Sequence, residues 1–188
     1  MGNSGSILKR PLWALVAVLP LLSGCSAEEQ VEYDLPNSLC GVPVDRSVIE
    51  PIFPPGKELT QEGGALPDGQ DRSYCSYLVD GNTAVSLSDQ RYQEKLTARD
   101  VIMKTTPQGH AEEVSVVASG DIALYRGHAV GVTACSGFPS EVDGEESRVY
   151  AVMVGIGDSE NWQEAQTKLT QFMEEFLPAA AQADRCSD

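Results

Sequence analysis

Apolar side chains recur at spacings of three and four residues along the stretch 160–177, near the C-terminus. Because a helix turns once every ~3.6 residues, side chains with this spacing share one helix face. The members of this stripe are Trp162, Ala165, Leu169, Phe172, Met173, Phe176 and Leu177. We expect Asp158 or Ser159 to cap the helix, and Pro178 to end it or to start a short final turn. Such a face is stable only when covered, and an antiparallel sheet is the expected partner.

Six short segments upstream of this helix are rich in β-branched and aromatic residues, which is typical of strands. Their bounds are 74–79, 83–88, 114–118, 122–125, 129–134 and 148–156. Asp80-Gly81-Asn82, between the first two, is a tight-turn signal. The stretch 90–104 fits a helix only in part and remains ambiguous.

The N-terminal part of the domain is less regular. Residues 36–41 and 45–52 predict short helical turns, with Asp45 as an N-cap, and the Gly- and Pro-rich stretch 54–71 predicts a long loop. Together the patterns predict a single α+β domain, in which the C-terminal amphipathic helix and the short N-terminal helices pack on one face of an antiparallel sheet.

The first 25 residues have the pattern of an export signal. Lys9 and Arg10 precede an eleven-residue apolar run, 12–22, which is short for a membrane span. The Leu-Ser-Gly-Cys sequence that ends at Cys25 resembles the bacterial lipobox. This resemblance implies that a diacylglyceryl group is attached to the Cys25 thiol and that a peptidase cleaves before this residue.

The sequence thus divides into a signal peptide (1–24), a lipidated cysteine with an acidic tether (25–36) and an envelope domain (37–188). Two alternatives fit this N-terminal sequence less well. The sequence that begins at Gly2 also fits a myristoylation pattern, but a myristoylated glycine needs no apolar run ending in a cysteine. An uncleaved membrane anchor would be short and would be broken by Pro20.

Four cysteines remain after Cys25, and an even number in an oxidising compartment indicates disulfides. Three pairings are possible. We favour Cys40–Cys75, which would close a segment with little structure of its own, and Cys135–Cys186, which would pin the C-terminus to a strand. Zinc binding is the alternative, but no Cys-x-x-Cys pair is present.

The charge of the chain limits its partners. The formal net charge is −15, and removal of Lys9 and Arg10 with residues 1–24 makes it −17. An acidic surface repels nucleic acid phosphates and anionic lipid headgroups, so neither is an expected partner. A cationic ligand or partner remains open, although solubility alone accounts for the acidity.

The stretch 155–160 (Gly-Ile-Gly-Asp-Ser-Glu) follows a strand and opens a helix, as dinucleotide-binding glycine motifs do. Glu160, however, stands at the position of the third glycine, and no strand follows the helix. We therefore interpret the stretch as a tight turn that feeds a capped helix, and we expect no cofactor.

A catalytic alternative is a surface serine hydrolase that uses Ser159 with His110 or His128. No Gly-x-Ser-x-Gly turn supports it, and a helix cap already accounts for Ser159.

The acidic residues Glu141, Asp143, Glu145 and Glu146 could attract calcium, but their spacing is not that of a calcium loop. A solvated loop is the favoured interpretation, and no metal site is expected.

The lipobox, the acidic tether, Leu39-Cys40, Cys75-Ser76-Tyr77 and the final strand and helix together resemble an actinobacterial (Streptomyces-like) family of lipoproteins of unknown function. The resemblance implies an envelope-exposed α+β domain and supplies no catalytic residues. We expect an extracytoplasmic protein held at the cell membrane by the lipid on Cys25. It would be a non-enzymatic module that binds a small ligand or an envelope protein, with the hydrolase and a carrier of apolar ligands as alternatives.

Overall fold

The structure is a computed structural model of the chain, and it describes residues 30–66, 72–105, 113–117, 119–135, 148–157, 161–184 and 186. The predicted signal peptide and the lipidation site Cys25 lie outside these residues. So do His110, the acidic residues 141–146, and Ser159.

Seven antiparallel strands form the main sheet, in the order β3-β4-β5-β9-β8-β7-β6. The strands of this sheet are β3 (Leu59–Gly63), β4 (Arg72–Val79), β5 (Asn82–Tyr92), β6 (Ser115–Val116), β7 (Ile122–Tyr125), β8 (His128–Cys135) and β9 (Arg148–Ile156). A separate small hairpin pairs β1 (Ser38–Leu39) with β2 (Val42–Pro43). The helices are α1 (Arg46–Ile49), a 3₁₀ turn (Glu50–Ile52), α2 (Ala98–Thr105) and α3 (Trp162–Ala183).

One face of the main sheet carries the larger core. Helix α3 packs over β7, β8 and β9, and the N-terminal hairpin, α1 and the 3₁₀ turn lie on the same side. Phe172 and Phe176 of α3 are fully buried and stack with ring centroids 4.8 Å apart. This arrangement confirms the predicted α+β domain with the C-terminal and N-terminal helices on one face of the sheet.

The opposite face is covered only in part. Helix α2 packs on β7 and β8, where Val101 and Ile102 join a second cluster with Val130 and Val132. In the described residues, no helix covers β4 and β5 on this side. The stretch left ambiguous by the sequence therefore splits, with its start completing β5 and its end forming α2.

Several local predictions are wrong. Residues 36–41 contribute to the β1–β2 hairpin rather than a helical turn, and the predicted loop 54–71 contains strand β3. The helical turns predicted over 45–52 are confirmed as α1 and the 3₁₀ turn, and Asp45 is the N-cap residue of α1, although its side chain makes no capping hydrogen bond. The short β1–β2 pair and the exposed β3 carry little of the apolar alternation that identifies a strand.

Helix α3 also differs from its prediction at both ends. Its N-cap is Asn161, whose side chain accepts a hydrogen bond from the Glu164 amide, instead of Asp158 or Ser159. Pro178 lies inside the helix, which continues to Ala183. Pro178 is exposed, while Ala180 is buried, so the extra turn is retained by packing on its inner side.

The tight turn between β4 and β5 is confirmed. Val79 pairs with Asn82, which leaves Asp80 and Gly81 as the two turn residues. Both have positive φ, at 51° and 79°, which matches the type I′ turn that suits the twist of a hairpin.

The end of α3 is fastened to the sheet by two interactions. Cys135 of β8 forms a disulfide with Cys186, and the Arg91 guanidinium donates two hydrogen bonds to the Asp184 carboxylate. Asp184 is buried although it is charged, so this paired arrangement is required for its burial.

Cys40 and Cys75 form the second disulfide, which joins the N-terminal hairpin to β4. Both bridges have the pairing favoured from the sequence.

A second buried carboxyl group lies beside this junction. Asp89 is 2% exposed and accepts hydrogen bonds from the Ser73 amide at 2.8 Å and the Tyr150 hydroxyl at 3.2 Å. Burial raises the pKa of Asp89 above its ordinary value, although the bonds from Ser73 and Tyr150 oppose the shift. Burial and the Asp89 charge likewise raise the pKa of Tyr150.

The stability of the domain should therefore decline with pH in a way that depends on Asp89. The folded state holds the Asp89 proton more tightly than the unfolded state, so its contribution is largest below the ordinary value of 3.8 and falls as pH rises through the folded pKa. Asp89→Asn should gain stability relative to wild type across this range, measured by urea unfolding at several pH values. Tyr150→Phe keeps the carboxyl group and should keep the decline. If the free energy of unfolding changed with pH in the same way for wild type and Asp89→Asn, the result would contradict this account.

Gly131 of β8 allows α3 to approach the sheet. A Cβ at this position would lie 2.4 Å from Met173 Cε and 3.1 Å from Leu177 Cδ2. Gly131→Val should destabilise the fold by about 1–3 kcal/mol through overpacking, measured by denaturant unfolding. Gly64→Val is the matched control, since a Cβ there meets nothing within 4 Å and should change stability little. Equal stabilities of the two variants would refute the proposed close packing.

Candidate functional site

A groove of about 340 Å³ lies on the sheet face that α2 covers only in part. We call it the sheet groove. Its floor comes from β4, β5, β9 and β8, and one wall comes from the end of α2 at Ile102 and Thr105. The floor residues used below are Arg72, Tyr74, Ser86, Ser88, His128, Met153 and Gly155. Its volume falls within the usual range of small-molecule sites.

Strand register brings these side chains together. Tyr74 pairs with Ser88, and Ser88 pairs with Met153 on the other side. In the next row, Ser86 pairs with Gly155, which in turn pairs with His128. Because alternate residues of a strand point to the same face, both rows share the face that α2 only partly covers. The same strands point Leu87, Tyr150, Val152 and Val154 into the core on the other face.

Gly155 keeps the middle of the second row open. A Cβ there would lie 2.8 Å from Ser86 Oγ and 3.2 Å from His128 Nε2. The Ser86 hydroxyl and the His128 imidazole therefore flank a position without a side chain. The Ser86 hydroxyl also donates a long hydrogen bond, 3.4 Å, to the Gly155 carbonyl.

The sheet groove carries little charge at neutral pH. The surrounding residues desolvate His128 and lower the pKa of its imidazole, an effect only partly offset by its hydrogen bond to the Tyr125 carbonyl. Among the described residues that line the groove, none is Asp or Glu, and Arg72 is the one permanent cation. The groove therefore offers hydroxyl groups, aromatic rings and a single guanidinium group.

A larger cavity, of about 710 Å³, lies at the other end of the sheet, between the start of α3, the segment 51–55 and the β4–β5 turn. Its charged groups already have partners. The Asp80 carboxylate accepts hydrogen bonds from the amides of Lys57 and Glu58, and Lys168 forms an ion pair with Glu164 at 2.7 Å. Since these groups support the local fold, we consider the sheet groove the better candidate site.

The structure describes one of the three catalytic candidates that the sequence suggested. His128 lies in the sheet groove, whereas its proposed partner Ser159 and the alternative base His110 lie outside the described residues. Gly155 belongs to strand β9 rather than to a phosphate-binding loop, and the Gly157 amide bonds the Ala84 carbonyl at the end of the sheet. Residues 158–160 of this stretch lie outside the described residues.

Sequence reasoning missed Arg72, Tyr74, Ser86 and Ser88 as site residues. A weak signal was present, because Ser86 and Ser88 flank the fully buried Leu87 and so mark one polar face of β5. Nothing local indicated that no helix of the described part of the chain would cover this polar face.

One group of three potential metal ligands occurs within the described part of the chain. Cys135, Asp184 and Cys186 place one donor atom each within 4.8 Å of one another. Both sulfur atoms belong to the disulfide, so neither offers the thiolate that a metal requires. We assign this group to the attachment of α3 to the sheet.

Comparison with known proteins gives no functional assignment. No family model, curated protein or solved structure matches the chain. Among the described helices, none combines the length and apolar character needed to cross a bilayer.

Proposed function

We propose that the mature chain is an extracytoplasmic lipoprotein, anchored through a lipid on Cys25, whose domain binds a small ligand without transforming it. The sheet groove is the observation that carries this proposal. It combines an exposed ring at Tyr74, an apolar floor at Met153 and the hydroxyl groups of Ser86 and Ser88. Sites for small ligands typically join apolar surface with a few convergent polar groups in this way.

The two disulfides support the proposed location. Cys40, Cys75, Cys135 and Cys186 are all buried, and each bridge joins segments distant in sequence. Such structural disulfides are maintained in oxidising compartments, where an exported domain would reside. Two acyl chains on Cys25 would provide durable attachment, since each buried methylene contributes about 0.8 kcal/mol.

The apolar-ligand carrier remains a related candidate. It requires a cavity between a sheet and a helix, and the sheet groove lies between the main sheet and α2. The polar row with Ser86 and His128 favours a ligand with polar groups over a purely apolar one.

A surface serine hydrolase is the second candidate, and one observation favours it. His128 and Ser86 flank Gly155, and the lowered pKa leaves the imidazole able to accept a proton at neutral pH. Labelling by a fluorophosphonate probe, lost in both Ser86→Ala and His128→Gln, would support this alternative. Labelling lost in Ser159→Ala instead would restore the hydrolase expected from the sequence.

Filling the sheet groove with a larger side chain should weaken ligand binding. We expect the uncharged fluorophore N-phenyl-1-naphthylamine to bind the wild-type domain, because it offers flat apolar rings to Tyr74 and Met153. Ser88→Trp should fill the groove and weaken binding at least about tenfold in a fluorescence titration, a loss of roughly 1.4 kcal/mol.

Gln61→Trp places the same side chain on the exposed strand β3 and should leave this binding unchanged. No binding by the wild-type domain, or equal binding by both tryptophan variants, would remove the groove as the ligand site.

The proposed lipid anchor on Cys25 can be tested independently of the groove. Intact-mass analysis of native membrane protein should show a chain that starts at Cys25 and carries a diacylglyceryl group. Cys25→Ser should lack the lipid and should leave the membrane fraction, because the anchor is lost. An unmodified Cys25, or a chain that still begins at Met1, would contradict the anchor and leave the groove prediction standing.

A further inference from the structure

The charge of the sheet groove contrasts with the rest of the protein. The whole chain has a net charge of −15, yet the described residues that line the groove include no carboxylate. The larger cavity at the other end of the sheet contains the carboxylates of Asp80 and Glu164. A further cavity, between α1 and α3, contains those of Glu174 and Glu175. In an acidic protein, a cavity whose described lining residues include no acid is the surface best suited to hold a negative charge.

Arg72 supplies the positive charge of this groove. It begins strand β4, is exposed, and lies two residues before Tyr74, so both side chains belong to the same sheet face. Within the described residues, Arg72 forms no ion pair. A guanidinium group stays charged at any physiological pH, and its planar set of N–H donors fits the two oxygens of a carboxylate or the oxygens of a sulfonate.

Tyr74 supplies an aromatic surface beside this charge. It is 55% exposed, and its cross-strand neighbour Ser88 is too small to cover the ring. Met153, which pairs with Ser88, continues the apolar floor with a side chain that adapts to flat rings. An apolar ring on the ligand can thus stack on Tyr74 while its charged group reaches Arg72.

We infer that the sheet groove selects small monoanions that carry a flat apolar ring, with Arg72 binding the anionic group and Tyr74 stacking on the ring. This assignment rests on the proposed function, since it specifies the ligand of the same site. The volume of about 340 Å³ suits a molecule of two or three rings. Arg72, the one permanent cation among the described lining residues, matches a single negative charge.

Two probes with the same ring system test the assignment. 8-Anilinonaphthalene-1-sulfonate carries one negative charge, and N-phenyl-1-naphthylamine is its uncharged counterpart. We expect the wild-type domain to bind the sulfonate about tenfold more tightly, as measured by fluorescence titration at low ionic strength, because a charge-assisted hydrogen bond contributes that much. Added salt should reduce this preference.

Arg72→Gln should remove the preference by weakening the sulfonate about tenfold and leaving the uncharged probe unchanged. Arg46→Gln, in helix α1, is the matched control and should change neither affinity. Tyr74→Ala should weaken both probes, whereas Tyr74→Phe should retain both because the ring is kept. Far-ultraviolet circular dichroism and urea unfolding establish that each variant is folded before titration.

The outcomes distinguish this assignment from the proposed function. A wild-type domain that binds the uncharged probe as tightly as the sulfonate would overturn the anion assignment and leave the groove as a ligand site. An equal loss of both probes in Arg72→Gln would also overturn it. Failure of the wild-type domain to bind either probe would instead defeat the proposed function.

Discussion

The attachment of helix α3 to the sheet is the constraint on which the rest of the structure depends. The Cys135–Cys186 disulfide and the buried pair of Arg91 and Asp184 hold the last turn against β8 and β5. Because the end of the helix is fixed, its apolar stripe lies along β7, β8 and β9, and Gly131 allows the close approach. Breaking the ion pair would leave a buried charge unpaired. The resulting loss of folding free energy would exceed the contribution of an ion pair at the surface.

This arrangement leaves the two faces of the sheet unequal. One face is covered by α3 and the N-terminal segments, and it contains the larger core. On the other face, the two-turn helix α2 is the one helix of the described residues that packs on the sheet, and it covers β7 and β8. Strands β4, β5 and β9 supply buried side chains to the first face and mostly small or polar ones to the second. The sheet groove follows from this difference in coverage.

The sequence predicted correctly those strands and helices whose formation depends on neighbouring residues along the chain. The bounds of β9 follow from a stretch rich in β-branched and aromatic residues, and α3 follows from its apolar stripe. The prediction at Pro178 failed because tertiary contacts hold the helix past a residue that locally disfavours it. The site could not be derived because Tyr74, Ser88 and Met153 meet only through strand register, and no local pattern shows which part of a sheet α2 leaves open.

The N-terminal segment has a consequence for the distance between domain and membrane. Val31 bridges to Gly56, and Tyr33 and Leu35 are buried, so these residues of the predicted tether 25–36 belong to the folded body. Five peptide units then separate Cys25 from Gln30, and they span at most about 18 Å when extended. If Cys25 is lipidated, this short connection holds the N-terminal end of the folded domain within that distance of the lipid headgroups.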